Sequence, residues 1–170
     1  MTVKTEDELN TDFADSQFRT ITAEKLRDFV DSRFAVGGVM HGQDTSQGIT
    51  AGVTNFAAYD VSSDTKGVSD NLVTGEYTID SGGDGAYSLA FVAVIEAPGA
   101  GDIEFGFHKN DNLNATPFRC KLPVAANTPT LFTITGGAQA VAGDRFGVKW
   151  QGSGNAPITV NDVQFRVVRA

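Results

Sequence analysis

Chemistry in this chain of 170 residues would have to run through very few side chains, because it holds two histidines and one cysteine. His41 sits in Gly38-Val39-Met40-His41-Gly42, and His108 closes a run of alternating polarity. Neither has a metal-ligand companion at i+2 or i+4, so both read as surface or strand-end imidazoles and no metal site is expected of them. General acid–base catalysis needs a histidine or carboxylate in a perturbing environment, which spacing alone does not display. The serine-containing stretches lack a Gly-x-Ser-x-Gly nucleophile elbow. Gly82-Gly83-Asp84-Gly85 lacks the Lys-Ser/Thr ending of a phosphate loop, and no helical pattern follows it. Cys120 alternates in phase with Phe118 and Leu122 and reads as a small buried hydrophobe rather than a reactive thiol. A single cysteine also rules out an intrachain disulfide and a thiolate metal cluster.

Two loops carry enough oxygen to be considered for a cation. Asp80-Ser81-Gly82-Gly83-Asp84 offers two carboxylates, and Asn110-Asp111-Asn112-Leu113-Asn114 offers several side-chain oxygens. Ca²⁺ asks for about six to eight oxygen ligands, and neither loop supplies that many. The plain reading is that Asp, Asn and Gly are turn formers. Asp84, Asn110, Asp111, Asn112 and Asn155 are therefore candidates for outer loops that grip a partner, not for catalysis. A sugar-cleaving enzyme would need two carboxylates at a set separation, and no such pair is apparent. No catalytic residue, metal or cofactor is expected, and the chain reads as a non-enzyme.

Composition narrows the classes further. Lys plus Arg is 13 against 21 for Asp plus Glu, a formal net charge of −8. An acidic chain repels phosphate, so no nucleic-acid partner is expected. The longest apolar stretch, Leu89 to Ile95, is far short of the roughly 20 residues that span a bilayer, so no membrane insertion is expected. No apolar run follows the first charged residues, so no secretory leader is expected and assembly belongs in a cytoplasm.

The elements that would position these residues fall into two parts. The first 35 residues contain neither Gly nor Pro. Thr5-Glu6-Asp7-Glu8 reads as a capping box, followed by Leu9 and Phe13 on one face at i, i+4. A second helix is predicted after the cap residue Thr22, with Leu26, Phe29, Val30 and Phe34 forming one apolar stripe. Gly37-Gly38 ends it. A helix this short is marginal in isolation, so it must dock. Leu9, Phe13, Leu26, Phe29, Val30 and Phe34 are the expected attachment and trimer-interface residues of a helical arm spanning 1–36.

From residue 37 to 170 the period changes to two. Residues 86–95 place Tyr87, Leu89, Phe91, Ala93 and Ile95 on one face and the small Ala86, Ser88, Ala90, Val92 and Val94 on the other. A strand with two mostly apolar faces is expected to be covered on both. Ile103, Phe105 and Phe107 alternate with Asp102, Glu104 and His108; Phe146, Val148 and Trp150 alternate with Arg145 and Lys149; Val163, Phe165 and Val167 alternate with Gln164 and Arg166. Shorter strands are predicted around 49–53, 56–61, 77–79, 118–122, 131–135 and 158–160. Gly-, Asn- and Asp-rich turns separate them, with no helical pattern between. The fold class is mainly β, an antiparallel jelly-roll sandwich behind a short N-terminal α-helical arm.

Two stretches of sequence carry family resemblances. Ile21-Thr22-Ala23-Glu24-Lys25-Leu26-Arg27-Asp28-Phe29-Val30-Asp31-Ser32 resembles the I-T-x-x-x-L-R-D-F-V-x-S stretch near the start of tailed-bacteriophage virion proteins, both fibre-like and head-associated. Leu9-Asn10-Thr11-Asp12-Phe13-Ala14-Asp15 resembles the L-N-x-x-F-x-D that precedes it, though the link here, Ser16-Gln17-Phe18-Arg19-Thr20, lacks the usual Gly or Asn. Thr74-Gly75-Glu76-Tyr77, Gly85-Ala86-Tyr87-Ser88-Leu89, Ala142-Gly143-Asp144-Arg145-Phe146-Gly147-Val148 and Val163-Gln164-Phe165-Arg166-Val167-Val168 are similar to the jelly roll of the complement globular head and tumour necrosis factor. Together these resemblances imply a homotrimer of jelly rolls, with the arm joining it to a phage major capsid protein or another virion protein. The expected function is a capsid decoration or head-fibre protein of the virion. The alternative is a receptor-binding tail-fibre tip whose outer loops, within 80–85, 110–114 and 152–155, contact host surface glycan or protein.

Overall fold

The computed structural model describes residues 37–47, 54–113, 117–152 and 157–170. The predicted arm, with Leu9, Phe13, Leu26, Phe29, Val30 and Phe34, lies outside the described residues, as do the predicted strand at 49–53, Asn114 and Asn155. The described part is two antiparallel sheets packed face to face, as the alternating sequence predicts. The strands are β1 (Gly37–Gln47), β2 (Thr54–Asn55), β3 (Val61–Lys66), β4 (Val68–Asn71), β5 (Glu76–Ile79), β6 (Gly85–Glu96), β7 (Gly101–Lys109), β8 (Arg119–Val124), β9 (Thr130–Ala140), β10 (Arg145–Gly152) and β11 (Ile158–Arg169). One sheet runs β3-β1-β11-β6-β9 and the other β4-β5-β10-β7-β8, with β2 also pairing β10. Six of the eight neighbouring pairs in this order are non-consecutive in the chain, which is the winding of a jelly roll.

The long strands follow the period-two pattern. Tyr87, Leu89, Phe91, Ala93 and Ile95 of β6 are all buried, as are Ile103, Phe105 and Phe107 of β7 and Phe146, Val148 and Trp150 of β10. In β11 the apolar positions are even-numbered at Ile158 and Val160 but odd-numbered at Val163, Phe165 and Val167. Strict alternation would turn one of these sets to solvent. The structure keeps both inward by a register shift between Val160 and Asp162, a bulge that makes one strand of what the sequence presents as two.

The core is aromatic. Phe56 meets Phe91, Phe105 and Tyr59 edge-on at centroid distances of 5.4, 5.5 and 5.5 Å, and Phe105 meets Phe132 at 4.8 Å. Phe56 was expected in a strand, but residues 56–60 are irregular and the strand begins at Val61. The segment is tied to the sheet by the Phe56 N–H donating to Val148 C=O at 2.8 Å.

β1 carries no clear alternation. β1 is rich in glycine because its surroundings leave no room for side chains. A Cβ on Gly42 would fall 2.0 Å from the Ala58 carbonyl oxygen, and one on Gly38 would fall 2.7 Å from the Tyr77 ring. Gly37-Gly38, read from the sequence as a helix stop, thus opens the first strand. Within the described residues, no helix is long and apolar enough to cross a membrane.

Candidate functional site

The two sheets present opposite kinds of surface. In the outer face of β6 and β9, cross-strand partners bring Ser88 to Gly137, Ala90 to Thr135, Val92 to Thr133 and Val94 to Leu131. No charged side chain lies among these eight residues. Val92 is 37% exposed and Leu131 58% exposed. Charges border the patch at Glu96, the last residue of β6, and at Asp162 and Arg166 of β11, which face Val94 and Ala90. His41 lies on this same face, opposite Gln164. The expected cover over the small face of β6 is therefore not supplied within the described residues.

The outer face of the other sheet is laced with ion pairs. Arg119 meets Glu104 at 3.5 Å, and Lys121 meets Asp102 at 3.2 Å. Further along, Gly147 of β10 is paired with Glu76 of β5 on one side and His108 of β7 on the other. A glycine between two side chains lets them lean together, and His108 Nε2 and Glu76 Oε1 stand 3.9 Å apart. Arg145 roofs the pair, donating from Nη1 to Glu76 Oε2 at 3.1 Å and from Nη2 to Asp111 Oδ2 at 2.7 Å. Lys149 Nζ lies 3.4 Å from Asp111 Oδ1. His108 is fully buried, which corrects its expected place as a surface imidazole.

The electrostatics of this cluster follow from its neighbours. Burial, with the positive charges of Lys149 and Arg145, pushes His108 down to about 4, against a weaker upward pull from Asp111. Its ring is therefore neutral at pH 7. Nδ1 accepts the Asp111 N–H at 3.3 Å, so the ring proton sits on Nε2, facing Glu76. Burial pushes the Asp111 carboxyl up, but hydrogen bonds and charge from Arg145 and Lys149 outweigh it and hold the group below its ordinary range. The Glu76 charge raises Arg145 further.

Glu76, His108 and Asp111 place ligand-type atoms within 4.8 Å of one another. They do not make a cation site. Arg145 already bridges the two carboxylates, Lys149 adds a second positive charge, and the burial and positive charges that disfavour a proton on His108 also disfavour a metal ion. The arrangement is an ion-pair network closed around a neutral imidazole.

The candidate loop residues converge on the β9–β10 turn. Asp144 Oδ1 accepts from Asn110 Nδ2 at 2.7 Å, and its Oδ2 accepts from the Val141 N–H at 2.8 Å and meets Lys109 Nζ at 2.7 Å. Asn110 Oδ1 accepts the Arg145 N–H at 2.8 Å, and Asp84 Oδ1 accepts the Ala142 N–H at 2.7 Å. Asp84, Asn110 and Asp111 are thus exposed but engaged with their own fold, as turn formers are. Asn112 closes the turn through its backbone, with its N–H donating to Lys109 C=O at 2.9 Å. Cys120 is half-buried against the core and has no disulfide partner. Asp144 and Glu76, both buried, were not singled out in the sequence. The Gly-Asp pair at 143–144 is the only local signal for the first, and the second becomes visible only through strand register.

These two surfaces and the strand order define a jelly-roll module. No family model and no curated protein matches the chain. Among solved structures it is similar to the Eiger tumour necrosis factor of S. frugiperda, at 13% identity over 79% of this chain and 92% of that one, with a TM-score of 0.57. It is also similar to murine APRIL, at 14% identity over 79% and 99%, with a TM-score of 0.51. The globular domain of zebrafish complement 1qA aligns at 14% identity over 79% and 96%, with a TM-score of 0.44. The first two establish the fold, a jelly roll of the tumour-necrosis-factor kind.

Proposed function

We propose that this chain is a non-enzymatic structural protein of a tailed-phage virion, a homotrimer of jelly rolls attached through its N-terminal arm as a capsid decoration or head-fibre protein. The observation that carries the self-association is the uncharged patch on the outer face of β6 and β9, from Ser88 to Val94 and from Leu131 to Gly137, with Val92 and Leu131 left exposed in a single chain. Burying such a face gains about 25 cal/mol per Å² of apolar area. A second copy of the same chain offers the matching surface, and closed symmetry repeats it without leaving an open edge. Threefold closure is what the resemblance to the complement head and tumour necrosis factor implies.

Attachment to the virion rests on the stretch 21–32 and its resemblance to the leading segments of phage virion proteins. Three arms on one trimer bind by multivalency, so weak single contacts add to a firm hold. The bonds that tie Asp84, Asn110 and Asp111 to Ala142 and Arg145 of their own fold support the structural reading over a receptor-binding tail tip.

Light scattering on the purified chain is expected to give three subunits, and antibody labelling of particles to decorate the head at hundreds of copies. Label at the tail tip in a handful of copies overturns the decoration reading in favour of the tail fibre. The substitution Phe29→Asp should leave a soluble β domain that fails to join particles; unchanged incorporation would remove the arm from the argument.

A further inference from the structure

The turn that follows β7 is held by an imidazole nitrogen that acid would convert from acceptor to donor. His108 Nδ1 accepts the N–H of Asp111 at 3.3 Å. Its other nitrogen carries the ring proton and points at Glu76 Oε1, 3.9 Å away. A second proton can enter only at Nδ1, where it would meet the Asp111 N–H head-on, donor against donor. Asn110 and Asp111 already hold φ of +52° and +64°, a region that non-glycine residues occupy at a cost.

Every charged group facing the ring belongs to one network. Glu76 comes from β5, Arg145 and Lys149 from β10, and Asp111 from the turn itself. Gly147, directly beneath the ring, contributes no side chain. With His108 neutral, two cations balance two carboxylates. Protonation adds a third positive charge in a fully buried place, and Arg145 and Lys149 stand beside it.

We propose that His108 is an acid-sensitive latch: a proton on Nδ1 displaces the Asp111 N–H, Asp111 leaves the sheet, and Lys149 and the Nη2 end of Arg145, whose Nη1 stays on Glu76, are released at the surface. The neutral patch above β5, β10 and β7 then becomes cationic. The neutral form holds the turn at pH 7 because burial and the two cations keep the ring pKa near 4. Proton uptake favours the open turn, where the new Nδ1–H no longer faces the Asp111 N–H and can donate to water.

NMR titration of the full-length chain tests this. At pH 7 the His108 ring should carry its proton on Nε2. As the pH falls from 6.5 to 4 the protection of the Asp111 amide against exchange should be lost, as expected when its acceptor nitrogen becomes a donor. The Asp111 amide resonance should move in the same step as the His108 ring. In His108→Gln, whose amide oxygen can accept the same N–H without titrating, that step should vanish. A neutral ring protonated on Nδ1, a His108 titration that leaves the Asp111 amide in place, or a step that survives in His108→Gln overturns the proposal. Should the variant fail to fold, the tautomer and the coincidence of the two wild-type titrations decide alone.

Discussion

The imidazole of His108 rests on the backbone of Gly147, so closely that a Cβ there would fall 2.5 Å from Nε2. The same Cβ would be 3.1 Å from Glu76 Cγ and 3.1 Å from the Gly75 carbonyl oxygen. The absent side chain is what lets residues from β5 and β7 meet across β10. Strand pairing alone would keep them apart, because two strands on either side of a third stand about 10 Å from each other.

Gly147→Ala therefore tests the site and the packing at once. The nearest obstacle is a ring held by the Asp111 N–H, and the next two are buried, so nothing yields freely. Overpacking of this kind costs about 1–3 kcal/mol. Denaturant unfolding should show that loss, together with weakened protection of the Asp111 amide. Unchanged stability would mean that the ring can leave without cost, and the network would then hold nothing in place.

Acid should weaken the whole fold as well as the turn. His108 titrates at about 4 when folded and near 6.5 when exposed. Its contribution is complete above pH 6.5, where both states are neutral, and is lost as pH falls towards 4, because the unfolded chain binds the proton first. The full difference is on the order of 3 kcal/mol. Asp111 and Asp144, both held below their ordinary values by their partners, add their losses lower still. Unfolding free energies measured from pH 7.5 to pH 4 should decline with the wild-type histidine and flatten in His108→Gln. A flat wild-type profile would contradict the assigned burial.

Alkali should act through the tyrosines. The chain has three, Tyr59, Tyr77 and Tyr87, and burial raises all three, Tyr87 to about 12. The Tyr87 hydroxyl donates to the Gly83 carbonyl, which a phenolate could not do. Stability from these groups is complete below the ordinary tyrosine value of 10 and is lost as pH rises through the folded values. Absorbance titration should therefore show phenolate appearing together with loss of near-ultraviolet circular dichroism. A tyrosine that ionises near pH 10 in the folded protein would mark a phenol in contact with solvent.

What the sequence made legible divides along the sheet periods. β6, β7, β10 and the second half of β11 announce themselves by alternation, because each has one face wholly in the core. β1 does not, since Gly38 and Gly42 are glycine for want of room against Tyr77 and Ala58, contacts that no local pattern displays. The His108 network was hidden for a related reason. Glu76 and His108 are separated by 31 intervening residues, and only the shared register at Gly147 brings them together. Asp111, three residues after His108, was visible as a turn former but not as the group that donates to its ring.

The face of β6 and β9 permits the sharpest test of assembly. Leu131 is more than half exposed, and Val94, its cross-strand partner, is half-buried in the single chain. A carboxylate at either Val92 or Leu131 costs the lone fold little, because both side chains already meet water there. At an interface between copies the same carboxylate would be buried beside its symmetry mates, and desolvation and like-charge repulsion would add. Val92→Glu with Leu131→Asp should therefore convert a trimer into monomers by light scattering, while far-ultraviolet circular dichroism changes little and the monomer unfolds as one cooperative unit. A double variant that remains trimeric would move the contact elsewhere on the jelly roll. A wild-type chain that is already monomeric at micromolar concentration would leave this apolar face without the partner argued for it.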